Sequence, residues 1–250
     1  MAADEVFEDA VLASLYDHFN GWDVCDEFYL SLAKERGGLV LDLGCGTGVL
    51  ACRIAQEGLA VTGVDPAEGM LGVARTRDGA ARVSWIKATG QALRLPQRFD
   101  LIYMTGHAFQ ALLTDDDAVA LLRAAHDHLA EDGRLAFETR NPARKAWLSW
   151  TPDRRRRATT AELGEVEEFY ETAADPKTGI VGLAAHYRLA SGKTVVGRSR
   201  IRFIELDHLK RLLAMADLTP IAWYGDWDRS PISAASREFI VVAQRVRKAA

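Results

Sequence analysis

The chain has 250 residues, 48 % of them hydrophobic and 26 % charged, with a formal net charge of −4. That is ordinary globular composition for one main α/β domain carrying an elaboration. The acidic balance argues against nucleic acid as a partner, no apolar run approaches the roughly 18 residues of a membrane span, and the start of the chain lacks the basic and apolar regions of a secretory signal, so the expected location is the cytoplasm.

Residues 5–19 read as a helix, with Phe7, Val11, Leu15 and Phe19 four apart. A second helix covers Val24 to Lys34 and stops at Gly37-Gly38. The period then changes. Leu39 to Leu43, Ala60 to Val64, Arg82 to Lys87, Phe99 to Met104 and Arg134 to Thr139 read as buried strands, separated by helical stretches at 47–56, 66–75 and 115–130. Such alternation predicts a doubly wound, mostly parallel sheet with helices on both faces. After Asn141-Pro142 the pattern breaks into extended segments at 167–172, 180–189 and 193–204, joined by turns. A helix at 207–216 and strands at 219–224 and 238–243 bring the main sheet to seven strands. The expected organisation is an N-terminal helical lid (1–36), a core (37–140), an antiparallel β cap inserted after the fifth strand (141–204), and a C-terminal helix and β-hairpin completing the sheet (205–250).

Three cysteines, Cys25, Cys45 and Cys52, are too few and wrongly spaced for a metal site and read as free thiols, and no metal is expected. The run Arg154 to Arg157 reads first as a solvated loop, and second as a patch for an anionic substrate.

The most informative segment is Asp42-Leu43-Gly44-Cys45-Gly46-Thr47-Gly48. Glycines at a strand-to-helix turn let backbone approach a ligand, and a helix start offers unpaired N–H groups. Asp65 ends the second strand 21 residues after Gly44, where a carboxylate can accept both hydroxyls of a ribose. Together they suggest an adenosine-type ligand across the strand ends, although Asp65 followed by Pro66 also suits a helix cap. The dinucleotide pattern G-x-G-x-x-G/A requires a small residue where Val49 stands. Asp42 would repel a pyrophosphate and attract the cationic sulfonium and ammonium of S-adenosylmethionine.

These residues resemble motif I of the class I S-adenosylmethionine-dependent methyltransferases. Val64-Asp65-Pro66 with Met70-Leu71, Phe99-Asp100-Leu101-Ile102 and Leu129-Ala130-Glu131-Asp132-Gly133-Arg134-Leu135 resemble the family's later motifs in order and spacing over residues 38–140. Tyr16-Asp17 and the β-rich cap resemble its small-molecule members. The resemblance implies S-adenosyl-L-methionine as cofactor. Tyr16, Asp42, Gly44, Cys45, Gly46 and Gly48 would lie on the methionyl and ribose side. Asp65 would hold the ribose, Pro66 and Met70 would pack near ribose and adenine, and Thr89, Gly90 and Gln91 would meet the adenine edge. Thr89 departs from the commoner aspartate. Met104 would close the strand end.

The acceptor would sit beyond the fourth strand, where His107 is the candidate general base; a backbone-bonding histidine is the plainer alternative, and His186 a weaker candidate. Trp147, Trp150, Tyr170, Trp223 and Trp227 form either an acceptor pocket or ordinary packing. Arg140 either meets an acidic acceptor or pairs with Glu138. A small-molecule acceptor with an oxygen or nitrogen nucleophile is expected, on a monomer or homodimer without nucleic-acid or membrane partners. An NAD(P)-dependent oxidoreductase and a non-catalytic S-adenosylmethionine-binding protein stand as alternatives.

Overall fold

A computed structural model describes residues 4–246. Seven strands form the main sheet: β1 (Leu39–Leu43), β2 (Ala60–Asp65), β3 (Val83–Lys87), β4 (Phe99–Met104), β5 (Leu129–Arg140), β10 (Leu218–Tyr224) and β11 (Glu238–Arg245). Their order is β10-β11-β5-β4-β1-β2-β3. The first five pair in parallel, and β11 inserts antiparallel beside β5 with β10 outside it. The order reverses at β1/β4. In open α/β sheets ligands settle at such a switch point, outside the C-terminal strand ends.

Alternation in the strands sorts the core into two faces. Leu41, Leu43, Ile102 and Phe137 pack with α6 (Asp115–His128) and α7 (Leu206–Met215). Val40, Leu101, Tyr103 and Ala136 pack with α3 (Val24–Arg36) and α4 (Val49–Gln56). Helix α5 (Glu68–Thr76) follows β2.

Four more strands, β6 (Arg156–Thr160), β7 (Gly164–Asp175), β8 (Ile180–Leu189) and β9 (Thr194–Arg202), form a separate antiparallel sheet in chain order. The expected cap is present, with one strand more than the sequence indicated. Strand β6 occupies part of the arginine run read as a solvated loop. Its arginines find partners across the ladder: Arg155 and Arg157 bond Glu167 at 2.6 and 3.0 Å, and Arg156 bonds Glu168 at 2.7 Å. Glu168 is fully buried, so this run is cross-strand glue.

The N-terminal helix predicted over 5–19 is broken into α1 (Glu5–Glu8) and α2 (Ala10–Phe19). Asp9 causes the break: its carboxylate caps α2 by accepting from the N–H groups of Val11 and Leu12. The two helices fill the angle between core and cap. Val6, Leu12, Leu15 and Phe19 pack on Val166, Ala185 and Tyr187 of the cap, while Ala13 packs on Ala67 and Met70 beside α5. Close approach demands two glycines. A Cβ at Gly69 would lie 2.5 Å from the Glu8 carbonyl, and one at Gly197 2.5 Å from Val6.

Candidate functional site

The glycine loop between β1 and α4 is built differently from a phosphate cradle. The N–H groups of Gly44 and Cys45 donate to the Val64 carbonyl, that of Gly48 to the Cys45 carbonyl, and that of Gly46 to Asp65 Oδ2. These donors, which the sequence left unpaired, are therefore spent on the fold. A pyrophosphate needs such a row of bare donors; a sulfonium nucleoside does not.

Two of the loop glycines divide their work. Gly46 has φ of +51° and an added Cβ there would meet nothing within 4 Å, so bare backbone faces open space. At Gly48, φ is +73° and a Cβ would lie 2.4 Å from the Trp85 ring. Gly48 is thus required by helix-to-sheet packing.

That open space is a cavity of about 920 Å3 over the C-terminal ends of β1, β2 and β4. Sites for one drug-sized ligand span roughly 300–1,000 Å3, so the volume suits a cofactor with an acceptor beside it. Gly44, Gly46, Asp65, Pro66, Met70 and Met104 line its floor, and Thr89, Gly90 and Gln91 one side. The lid contributes Tyr16 and the cap Tyr170, Tyr187 and Arg200. His107, Arg140 and Trp150 line the end away from Asp65's loop, beyond β4 and β5.

Asp65 is buried, and each of its oxygens accepts one backbone N–H: Oδ1 from Ala67 at 2.8 Å and Oδ2 from Gly46 at 2.9 Å. Burial pushes its pKa up, and these two donors hold the rise back. A carboxylate oxygen has two lone pairs, so both keep acceptor capacity towards the cavity. Asp65 does not cap α5 from the N-cap position, which Ala67 holds.

Asp42, Cys45 and Gly48 were expected at the ligand and are not on the cavity wall. The reason is strand alternation. Asp42 shares its face with Val40, beneath the loop, where Tyr103 donates to Oδ2 at 2.8 Å. Burial raises its pKa to about 8. Near neutrality it is mostly protonated, which removes the charge the sequence argument relied on. Its Oδ1 has no partner, and neither does the buried Oγ1 of Thr105 just after β4. The Thr105 hydroxyl, on the cavity wall, is what a polar ligand atom or a bridging water would satisfy, whereas Asp42 Oδ1 lies beneath the wall. With the bare backbone at Gly46 and the open acceptors of Asp65, the donor set fits an S-adenosyl group. Cys45 is packed towards Gly63, where an added Cβ would lie 3.2 Å from its Sγ.

Tyr16 belongs to the site through its neighbour. Asp17 accepts from Thr47 Oγ1 at 2.6 Å and pairs with Arg77, whose Nε donates to the Thr47 carbonyl at 3.0 Å. The lid is thereby latched to the glycine loop, with Tyr16 facing the cavity. Burial and the Asp17 charge raise the Tyr16 pKa to about 12, so it stays a phenol.

His107 has φ of +62°, a left-handed conformation uncommon outside glycine. Its backbone N–H donates to Glu138 Oε1 at 2.7 Å, and Tyr29 donates to the other oxygen. Glu138 is buried in β5 with its pKa raised chiefly by burial. The His107 ring meets Glu238 on β11, Nε2 to Oε2 at 3.1 Å. Glu138 and Glu238 were missed as partners of His107; the available signal was an acid following the apolar run Leu135-Ala136-Phe137 and another opening the apolar strand β11. Arg140 pairs with neither acid. It donates to Gln110 Oε1 at 2.9 Å and lies over the Trp150 ring at 5.1 Å.

The aromatic cluster divides likewise. Trp150 and Tyr170 line the cavity. Trp147 packs on Phe203, Trp227 on Phe28 and Tyr29, and Trp223 on the core. His186 is not on the cavity wall; it stacks on Phe169, 4.7 Å between ring centroids. Among the described residues no cluster suits a metal, and no helix is long and apolar enough to cross a membrane.

Comparison with known proteins agrees with this geometry. Residues 40–133 match the family model of a methyltransferase domain. The Cypemycin N-terminal methyltransferase of a Streptomyces species is 24 % identical over 209 residues, 84 % of each chain. Further curated relatives at 33–35 % identity match over 50–51 % of their own length, so the chain spans about half of those proteins. The CcbJ methyltransferase of Streptomyces caelestis superposes with a TM-score of 0.82 at 21 % identity, covering 98 % of this chain and all of that one. The amino pentose methyltransferase CalS10 of Micromonospora echinaspora, solved with S-adenosylmethionine bound, gives 0.68 at 20 % identity over 94 % and 96 % of the two chains. Neither the oxidoreductase nor the non-catalytic reading is favoured. With its loop donors already spent, Asp65 buried at the end of β2 and a methyltransferase-domain model matched over residues 40–133, the chain carries a methyltransferase domain and has the Rossmann-like fold of S-adenosylmethionine-dependent methyltransferases.

Proposed function

We propose that this enzyme methylates an oxygen or nitrogen nucleophile of a small molecule held between His107, Tyr16 and the cap. The observation carrying the reading is one continuous cavity with the Asp65 loop at one end and His107, Arg140 and the cap at the other. Gly44, Gly46, Asp65, Pro66 and Met70 would hold the cofactor, with Thr89, Gly90 and Gln91 towards its adenine and Met104 and Tyr16 towards its methionyl group. The Thr89 hydroxyl makes no side-chain cap bond and is available to adenine. Bound there, the cofactor supplies a sulfonium-activated methyl group whose carbon–sulfur electron pair leaves on sulfur.

The chain supplies orientation, dryness and a base. With Nε2–H donated to Glu238, His107 presents Nδ1 as an acceptor for the proton of the attacking group. The Glu238 carboxylate then stabilises the resulting imidazolium, and Glu138 fixes the backbone that aims the ring. The lid and cap exclude water. The small acceptors named for its relatives, an amino pentose among them, support the substrate class. The acidic net charge disfavours a nucleic-acid partner, a cytoplasmic location is the expectation, and a monomer or homodimer suffices for a site made by one chain.

His107→Gln tests the base. General-base removal costs ~10²–10⁴-fold in rate, so turnover of an acceptor found by metabolite screening should fall at least 100-fold, with S-adenosylhomocysteine affinity within twofold of the parent. Equal turnover would remove His107 from the chemistry.

A further inference from the structure

Arg140 ends β5, opposite Glu238 in the β11 register. Its guanidinium is held on two sides. The Trp150 ring lies against its face, and Gln110 takes one N–H. Gln110 is fully buried and fixed by donating to the Arg202 carbonyl at 3.0 Å, so the fork is aimed. A guanidinium has five donors and stays charged in proteins. The rest open onto the cavity that Arg140 lines.

Nothing described nearby neutralises it at contact. Glu138 is engaged by Tyr29 and the His107 backbone, and Glu238 by the His107 ring. Arg155 and Arg156 on the same wall are matched by Glu167 and Glu168. Asp153 and Arg154 line the rim as adjacent opposite charges, and the Asp4 carboxylate accepts from the Arg200 N–H at 3.2 Å. Burial pulls the Arg140 pKa down, the mark of a cation without a contact counter-ion. An oriented planar fork with unspent donors, next to the candidate base, suits bidentate recognition of an oxyanion.

We propose that Arg140 is the anion-recognition residue of the acceptor subsite, so that the methyl acceptor carries a carboxylate or phosphate near its nucleophile. This rests on the acceptor location argued above. The cofactor's own carboxylate is the rival occupant, and the test separates the two.

Calorimetry at low salt first measures S-adenosylhomocysteine binding, then titrates inorganic phosphate or succinate into the saturated complex. The expected result is saturable anion binding that weakens at least tenfold in Arg140→Gln, is partly kept in Arg140→Lys, and leaves S-adenosylhomocysteine affinity within twofold in both. A charge-assisted hydrogen bond contributes enough for that change. Unchanged thermal midpoints show that the variants fold. Tighter phosphate binding assigns a phosphorylated acceptor, and tighter succinate binding a carboxylate one. No saturable anion, or one indifferent to Arg140, overturns the inference while leaving the methyl-transfer reading intact. Loss of S-adenosylhomocysteine affinity in Arg140→Gln also overturns it, because Arg140 would then serve the cofactor. Failure of the parent chain to bind S-adenosylhomocysteine sinks the underlying reading instead.

Discussion

The parallel half of the main sheet and the antiparallel cap solve opposite problems with opposite means. From β1 to β5 the chain buries apolar side chains on both faces of the sheet, and its loop polar groups satisfy one another: Asp65 with Gly46 and Ala67, Val64 with Gly44 and Cys45. The cap has a smaller apolar core, shared with the lid, and is laced by Arg155, Arg156 and Arg157 against Glu167 and Glu168. On the proposed reading the first half would hold the adenosyl group in a rigid cradle, and the second would face the molecule to be methylated. His107, on the loop after β4, and Arg140, at the end of β5, line the cavity at the boundary of core and cap, with Glu138 and Glu238 behind the histidine.

The largest effect should come from the cradle. Asp65→Ala removes acceptors for two ribose hydroxyls; at about 1.5–3 kcal/mol for charged hydrogen bonds, S-adenosylhomocysteine affinity should fall roughly 10- to 100-fold by calorimetry. Asp65 also ties down Gly46 and Ala67, so Asp65→Asn is the milder control. Affinity unchanged in both would make Asp65 a purely structural residue.

A cap substitution should separate the two halves. Glu168→Ala strips the buried acceptor of Arg156 and of the Tyr170 hydroxyl, 2.7 and 2.8 Å away. Lost buried partners cost about 1–3 kcal/mol. Hydrogen exchange should rise across β6–β8 and acceptor KM should increase, while cofactor affinity stays nearly constant. A uniform rise over the whole chain would mean that cap and core are one cooperative unit.

Within the cradle, Gly48→Ala should lower stability by about 1–3 kcal/mol, from overpacking on Trp85 and the left-handed backbone. Gly46→Ala carries the same left-handed backbone penalty of about 1–2 kcal/mol but no overpacking, and should in addition weaken cofactor affinity. A denaturant series read against a binding series compares them.

The last effect is a pH slope. Asp42 has its folded pKa raised to about 8 by burial, above the unfolded value near 3.9. Its contribution to stability is fully present below the unfolded value and is lost as pH rises through the folded one. Asp42→Asn should therefore flatten the decline in melting temperature between pH 4 and 8. A slope identical to the parent's would place the titration elsewhere.

What the sequence shows and hides follows the same division. The parallel half is written locally: apolar runs, glycine punctuation, and an acid at a strand end. The cap strand β6 was hidden because four consecutive arginines look solvated until Glu167 and Glu168 are placed across the ladder. Asp42 lies off the cavity wall, which motif spacing could not show because it does not say which face of β1 a side chain takes. Glu138 reaches His107 through the pairing of β5 with β4, and Glu238 only after β11 inserts beside β5, long-range pairings that no local pattern encodes. The break at Asp9 was legible in principle, since aspartate ahead of Val11 and Leu12 is a helix-cap signal.

A crystal structure of the complex with S-adenosylhomocysteine tests the central claim most directly. Both ribose hydroxyls should lie about 2.6–3.0 Å from the Asp65 carboxylate, with the sulfur facing space bounded by His107, Arg140 and Tyr170. A nucleoside bound away from Asp65, or a sulfur turned from His107 towards the lid, would contradict the division of the cavity into cofactor and acceptor halves.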